Sequence, residues 1–367
     1  MNLVPLNDLA RQSRQDSNFV LDLVREVVDR GNFLRGPVTA RFEEALSAYL
    51  GVKHAVGVAN GTDALYLALK AVGVGEGDVV ATVANAGGYA TGATFRAGAT
   101  PLFIDVNLSD AQMSPIDLEK WLSQTDRVQA VVLTHLFGLM GDVKEIRSIC
   151  DRHKVPLVED CAQAIGAARN GVKAGAWGDV ATFSFYPTKN LGCFGDGGAV
   201  VSDREDIAER VRRLAQYGWS ERYFVDTNGG INSRLDEIQA AILMYRLARI
   251  DDENRSRRSI ALKFAAAMSG TRRILTADDD SFVAHLCVMV SESRSADAAS
   301  LESAGVQSGI HYPELDYNQV AWRSSVDATP RPNSKHFVDR ILTIPCFPTM
   351  RQDEIEQVES SLRALPA

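Results

Sequence analysis

The spacing of apolar positions along the chain changes several times, and each change predicts an element. Between 17 and 30, Phe19, Leu23, Val27 and Val28 recur at helical spacing, and Gly31 ends the run. A second helix is expected after Pro37, with Phe42, Leu46 and Leu50 on one face and Gly51 as its stop. The stretch HAVGVANGTDALYLALKAVGV then reads as a buried strand (55–59), a tight turn at Asn60, Gly61 and Thr62, and a helix. Further strand patterns (79–83, PLFIDV, AVVLTHLFG, VPLVED) alternate with helical ones (115–122, 143–153). Repeated βα units of this length predict a mostly parallel sheet with helices on both faces, an α/β fold. One long helix, from 235 to about 258, leads out of this region. Shorter helical and strand patterns at 260–268, 284–290 and 296–304, a charged run at Asp278 to Asp280 and a final helix predict a smaller α+β unit. The expected units are 1–245, large, and 246–367, small.

The chemistry concentrates in TFSFYPTKNLGCFGDGGAVV (182–201). Thr182 and Ser184 alternate with Phe183 and Phe185, Pro187 breaks the strand, and Lys189 stands on the turn. Among aromatic side chains its ammonium is desolvated, which lowers its pKa and makes it a nucleophile for a carbonyl, the requirement for binding pyridoxal phosphate covalently. Taken alone, a lysine here fits a strand-end side chain snorkelling to water as well. Upstream, the strand VPLVED delivers Asp160 to its carboxyl end, with Gln163 three residues on. A carboxylate there suits the ring nitrogen of the same cofactor, and by itself it also fits a helix cap or a surface ion pair. The order Asp160, Gln163, Ser184, Lys189 on successive strand ends is hard to explain structurally. Gly61 and Thr62, at a strand-to-helix turn, offer backbone N–H groups to a phosphate, or simply cap the helix.

Composition narrows the partners. A net charge of -8 over 367 residues and a pI near 5.4 argue against nucleic acid or anionic membrane. Arg255, Arg257 and Arg258 read as a solvated helix face. Five cysteines without CxxC spacing predict reduced thiols, and the six histidines show no metal-ligand cluster. His135, at a strand end, fits a hydrogen-bonded structural role or the edge of a site. No signal peptide or membrane span is apparent, so a cytoplasmic protein is expected. Gly73, Gly75 and Gly77 follow a helix and precede a strand, the reverse of a dinucleotide fingerprint, and read as a turn.

The run GDVATFSFYPTKNLGCFGDGGAVV, with VEDCAQAIGA, VANGTDALYLAL, INSRLDEIQAAIL and GIHYP, resembles the DegT/StrS-type sugar aminotransferases over nearly the whole chain. That resemblance implies the aspartate-aminotransferase fold (type I): a large domain on a seven-stranded, mostly parallel sheet, and a smaller C-terminal α+β domain. It implies pyridoxal phosphate on Lys189, Asp160 at the ring nitrogen, Gln163 at the phenolic oxygen, Tyr89 on the ring face, and Ser184, Gly61 and Thr62 at the phosphate. It also implies a homodimer in which Asn232 and Arg234 reach the neighbouring subunit's site, the asparagine to the phosphate. Tyr186, Arg234, His311 and Tyr312 are expected near the substrate. The implied reaction is amination of a nucleotide-linked ketosugar by L-glutamate, favouring a dTDP-3-keto-6-deoxyhexose over a 4-keto isomer. A dehydratase on this fold carries histidine where Lys189 stands, and a non-catalytic regulator would not need the lysine, aspartate and glutamine together. After GIHYP the family usually has Pro and then His before its Gln; this chain reads ELDYNQ, with Leu315 and Tyr317 in those places and Gln319 retained.

Overall fold

Seven strands build the central sheet of the computed structural model, which describes residues 3–366. They are β1 (His54–Val58), β2 (Val79–Val83), β3 (Thr100–Ile104), β4 (Val128–Thr134), β5 (Leu157–Asp160), β6 (Val180–Ser184) and β7 (Gly198–Ser202), in the order β1-β7-β6-β5-β4-β2-β3. The pairs β2 with β3, β2 with β4, β4 with β5 and β5 with β6 are parallel, and β7 alone runs against its neighbours β1 and β6. The helices, in chain order, are α1 (Leu9–Arg30), α2 (Pro37–Leu50), α3 (Gly61–Ala71), α4 (Tyr89–Arg96), α5 (Pro115–Leu122), α6 (Val143–His153), α7 (Glu205–Leu214), α8 (Glu237–Leu247), α9 (Ile250–Ala266), α10 (Arg294–Ser303), α11 (Pro332–Arg340) and α12 (Gln352–Arg363).

Both faces of the sheet are covered because both sets of alternating strand positions are apolar. Val56, Val80, Val132, Val158 and Val200 pack with α3, α4 and α7. Their neighbours Ala55, Ala81, Val131, Leu157 and Val201 pack with α2, α5, α6 and α8. A second core lies around a three-stranded antiparallel sheet, β8 (Arg273–Ile274), β9 (Cys287–Val290) and β10 (Ile341–Ile344), with Phe264 of α9 and Val4, whose backbone pairs with Val306.

Arg257, expected with Arg255 and Arg258 on a solvated helix face, is instead 3% exposed, with Nη1 donating to the Cys346 carbonyl at 2.8 Å. Three expectations about element bounds also needed correction. First, α1 begins at Leu9 rather than 17, because Asp8 caps it by accepting the Arg11 N–H. Its inward seam is Val20, Leu23 and Val27, whereas Phe19 and Val28 are 61% and 53% exposed. Second, the long helix expected from 235 is two helices, broken at Ala248 and Arg249. The buried Asp16 carboxylate of α1 binds Arg246 on one side of the break and Arg249 on the other, at 2.9 and 2.8 Å. Third, the strand expected over 284–290 starts only at Cys287; Ala284 takes a left-handed φ of 46°, and His285 and Leu286 turn out of the sheet. The glycine-rich turn between α3 and β2 is as read, with Gly73 and Gly77 at φ 97° and 83°.

His135 is structural. It is buried, its Nδ1 accepts the Gly141 N–H, and its Nε2–H therefore donates to Glu159 Oε2 at 3.0 Å. The same carboxylate accepts N–H groups from Gly175, Trp177 and Gly178. Among the described residues, no helix is long and apolar enough to cross a membrane.

Candidate active site

A cavity of about 680 Å³ opens where the carboxyl ends of β4, β5 and β6 meet the N-termini of α3 and α4, and residues near β9 and β10 close its far side. Crevices at these strand ends are where open α/β sheets bind ligands. The cavity is lined by Gly61, Thr62, Tyr89, Asp160, Gln163 and Ser184, and also by Tyr186, Lys189, His311 and Tyr312. Residues far apart in sequence, from Gly61 to Tyr312, thus line one cavity.

Asp160 is the last residue of β5 and is 5% exposed. Its Oδ1 accepts the Ala162 N–H at 3.1 Å, and Oδ2 accepts the Thr134 hydroxyl at 3.3 Å. Burial raises its pKa, against the Ala162 N–H and the Lys189 charge. Lys189 sits on a turn closed by its own N–H donating to the Tyr186 carbonyl at 2.8 Å. Burial pushes the Lys189 ammonium down to about 8, opposed by Asp160. A lysine at this value keeps a useful fraction of free amine near neutral pH, as nucleophile or base.

Gln163 has a fixed amide. Its Oε1 accepts the Phe137 N–H at 2.6 Å, so Nε2 is turned to the cavity side and donates to the Tyr312 hydroxyl at 3.0 Å. Burial raises the Tyr312 phenol, which stays protonated. Tyr89 starts α4 after Gly87 and Gly88, both left-handed, and its ring meets Tyr312 edge-on at 6.1 Å. Half of Tyr89 remains exposed at the cavity mouth. His311 Nδ1 is 2.9 Å from the Thr343 hydroxyl, and burial with the nearby Lys189 charge lowers its pKa.

The α3 terminus is built for close approach. Asn60 Oδ1 takes the Asp63 N–H at 2.8 Å, and a Cβ on Gly61 would lie 2.6 Å from Ser184 Cβ. Ser184 Oγ accepts the Tyr186 N–H at 3.4 Å and keeps its own proton to donate. A helix N-terminus, a free hydroxyl, a depressed lysine and a buried carboxylate across one cavity are what pyridoxal phosphate needs for its phosphate, aldehyde and ring nitrogen.

Asn232 and Arg234, expected at the neighbouring subunit's site, lie outside this chain's own cavity. The Asn232 backbone pairs with Gln216, and its side chain is exposed. Arg234 lines a separate cavity of about 140 Å³ with Arg35, Glu43 and Arg212. Conversely, sequence reading missed Thr134 and His285, which line the main cavity. Thr134 was legible as the last residue of a strand beside the Asp160 strand; His285 had no local signal.

The pattern of the DegT/DnrJ/EryC1/StrS aminotransferase family matches residues 14–363. A dTDP-3-amino-3,4,6-trideoxy-alpha-D-glucose transaminase of Streptomyces venezuelae is 37% identical over 346 residues, 93% of this chain and 90% of that protein. A UDP-N-acetyl-3-dehydro-alpha-D-glucosamine 3-aminotransferase of Acidithiobacillus ferrooxidans is 33% identical, covering 98% of this chain and 97% of that one. The crystal structure of S. venezuelae DesV in complex with a ketimine intermediate superposes with a TM-score of 0.94 at 35% identity, over 99% of this chain and 98% of that one.

Proposed function

The chain belongs to the DegT/DnrJ/EryC1/StrS aminotransferase family, and from that membership we propose that it aminates a nucleotide-linked 3-keto-6-deoxyhexose with L-glutamate as donor. It is a pyridoxal-phosphate-dependent aminotransferase. The observation that carries the reading is the pairing of Lys189 and Asp160 across one cavity at the strand ends. The relatives from S. venezuelae and A. ferrooxidans are both named for an amino group at the third sugar carbon, which favours that position over the fourth.

Pyridoxal phosphate, when bound, supplies an aldehyde for the amino group and a ring that accepts electrons. Lys189 would hold it, leave when the donor amine arrives, and then carry a proton between carbons as the base. Asp160, kept in place by Thr134 and the Ala162 N–H, would hold a proton on the ring nitrogen. Gln163 Nε2 would donate to the phenolic oxygen, Tyr89 would cover the ring face, and Ser184 with Gly61 and Thr62 would bind the phosphate. Tyr186, His311 and Tyr312 would meet the substrate.

The catalytic unit would be a homodimer in which Asn232 reaches the neighbour's phosphate site and Arg234 its substrate. Exposed Phe19, Leu21, Val28, Phe33 and Leu34 favour this, because large apolar side chains left at the surface are ones a second copy could cover. The large and small units would divide at 245/246, and the enzyme would work in the cytoplasm. The test is 2-oxoglutarate release from L-glutamate with isomeric dTDP-ketosugars, followed by mass analysis of the product. Amination of the 3-keto isomer, abolished in Lys189→Ala, is expected; preference for the 4-keto isomer would refute the chosen position.

A further inference from the structure

We infer that Asp316 is a positioning residue for Tyr89: its hydrogen bond to Thr91 fixes the first turn of α4, and with it the way the Tyr89 ring faces the cavity. This rests on the reading of Tyr89 as the residue that covers the cofactor ring.

The start of α4 has little of its own to hold it. Its N-cap is Gly88, no side chain caps it, and Gly87 and Gly88 both lie in the left-handed region, at φ 80° and 83°. Two successive glycines leave the direction of the helix that follows open to small changes in φ and ψ. Tyr89 is the first residue of that helix and is half exposed, so its place is set more by the turn it starts than by burial.

The hold comes from the segment 311–322, far along the chain. Tyr312 and Trp322 lie where side chains on Gly87 and Gly88 would be, since a Cβ on either glycine would come within 2.8 Å of the ring. Trp322 also meets Phe95 of α4, with ring centroids 6.1 Å apart. Between these two rings in sequence stands Asp316, whose Oδ2 accepts the Thr91 hydroxyl at 2.5 Å across a separation of 225 residues. Both partners are buried, and Thr91 lies in the same helical turn as Tyr89. Asp316 is itself anchored. Its N–H donates to the Ala84 carbonyl, just past β2, at 2.9 Å, and Leu315 and Tyr317 on either side are buried with Phe103 and Val338. Those two residues are the ones by which ELDYNQ departs from the family, and neither lines the cavity. The main-chain and apolar ties survive any change of the Asp316 side chain. What the carboxyl adds is a direct tie from this anchored segment to the turn that carries Tyr89.

The experiment titrates the full chain, stripped of cofactor, with pyridoxal phosphate at equilibrium, with thermal melts alongside. Loss of the buried hydrogen bond in Asp316→Leu should weaken binding by about tenfold. Asp316→Asn, whose amide oxygen still accepts the Thr91 hydroxyl, should stay near wild type. Thr91→Val removes the other partner at nearly constant shape and should reproduce the Asp316→Leu loss; should Asp316→Leu not fold, Thr91→Val takes its place throughout. A double-mutant cycle then decides whether the effect runs through Tyr89. With Tyr89→Ala in place, Asp316→Leu should weaken binding by less than about a further twofold. The full loss in both backgrounds, as a general loosening of the fold would give, overturns the inference. So does wild-type affinity in Thr91→Val, or an Asp316→Asn protein as weak as Asp316→Leu. Wild-type affinity in Tyr89→Ala alone would overturn the reading of Tyr89, and the inference with it.

Discussion

Gly61→Ala tests the phosphate end of the cavity, where two effects of opposite sign compete. On propensity alone, alanine in place of glycine at the start of α3 stabilises the helix by up to about 1 kcal/mol. Gly61 is not left-handed, so its backbone tolerates the change. The new methyl, however, lies 2.6 Å from Ser184 Cβ, 3.1 Å from Oγ and 3.2 Å from Cα. Ordinary carbon contact is about 3.5 to 4.0 Å, so the end of α3 and the end of β6 must separate by about 1 Å. These atoms belong to the root of a side chain and to backbone, and such overpacking costs about 1–3 kcal/mol. The clash therefore wins, with a small net loss in apo-protein stability and a larger loss in cofactor affinity, since an error near 1 Å in a binding constellation costs on the order of 100-fold. Equilibrium titration with pyridoxal phosphate and thermal melts of apo- and holoprotein measure both. Adding Ser184→Gly should return the apo melting temperature towards wild type without restoring affinity, because the hydroxyl is gone. A Gly61→Ala protein with wild-type cofactor affinity would refute the reasoning.

Asp160→Asn should leave the fold intact and lower the rate of the glutamate half-reaction by about 100-fold or more, because the side chain can no longer hold a positive ring nitrogen; stopped-flow absorbance reads it. Asp316 is buried, takes the Thr91 hydroxyl at 2.5 Å, and has an Oδ1 without a partner among the described residues. Burial lifts its pKa to about 7, so between about pH 4 and 7 the native state holds a proton that the unfolded chain has released. Stability should therefore fall as pH rises through that window, and urea melts should show the fall lessened in Asp316→Asn. Mixing Lys189→Ala with Asn232→Ala subunits should restore roughly a quarter of wild-type activity by making dimers with one whole site, and no recovery on mixing would sink the shared-site reading.

What the sequence made legible is what short stretches of chain encode. The strand ends at Asp160 and Ser184, the turn at Lys189 and the turn at Asn60 to Thr62 each depend on a few neighbouring residues, and the strand alternation carries the sheet with its helices on both faces. Phe19 and Val28 show the limit of the same reasoning for a helix. Apolar residues surround α1 more widely than one seam, and spacing does not say which of them meet the core and which stay exposed. The break between α8 and α9 escaped because its cause is a carboxylate 230 residues away along the chain.

His285 is the sharpest case. Its neighbours read as one apolar strand, and the groups that set its proton, Asn190 and the Val283 carbonyl that orients Asn190, are brought together across separations of 95 and 93 residues. A histidine's chemistry depends on which nitrogen carries the proton, and here that is decided two and three hydrogen bonds away, by the carbonyls of Val283 and Ile165. Neither carbonyl depends on its own side chain for its role as acceptor, since every residue supplies one. The tautomer of His285 is therefore a property of the fold, and no residue-by-residue reading of the sequence contains it.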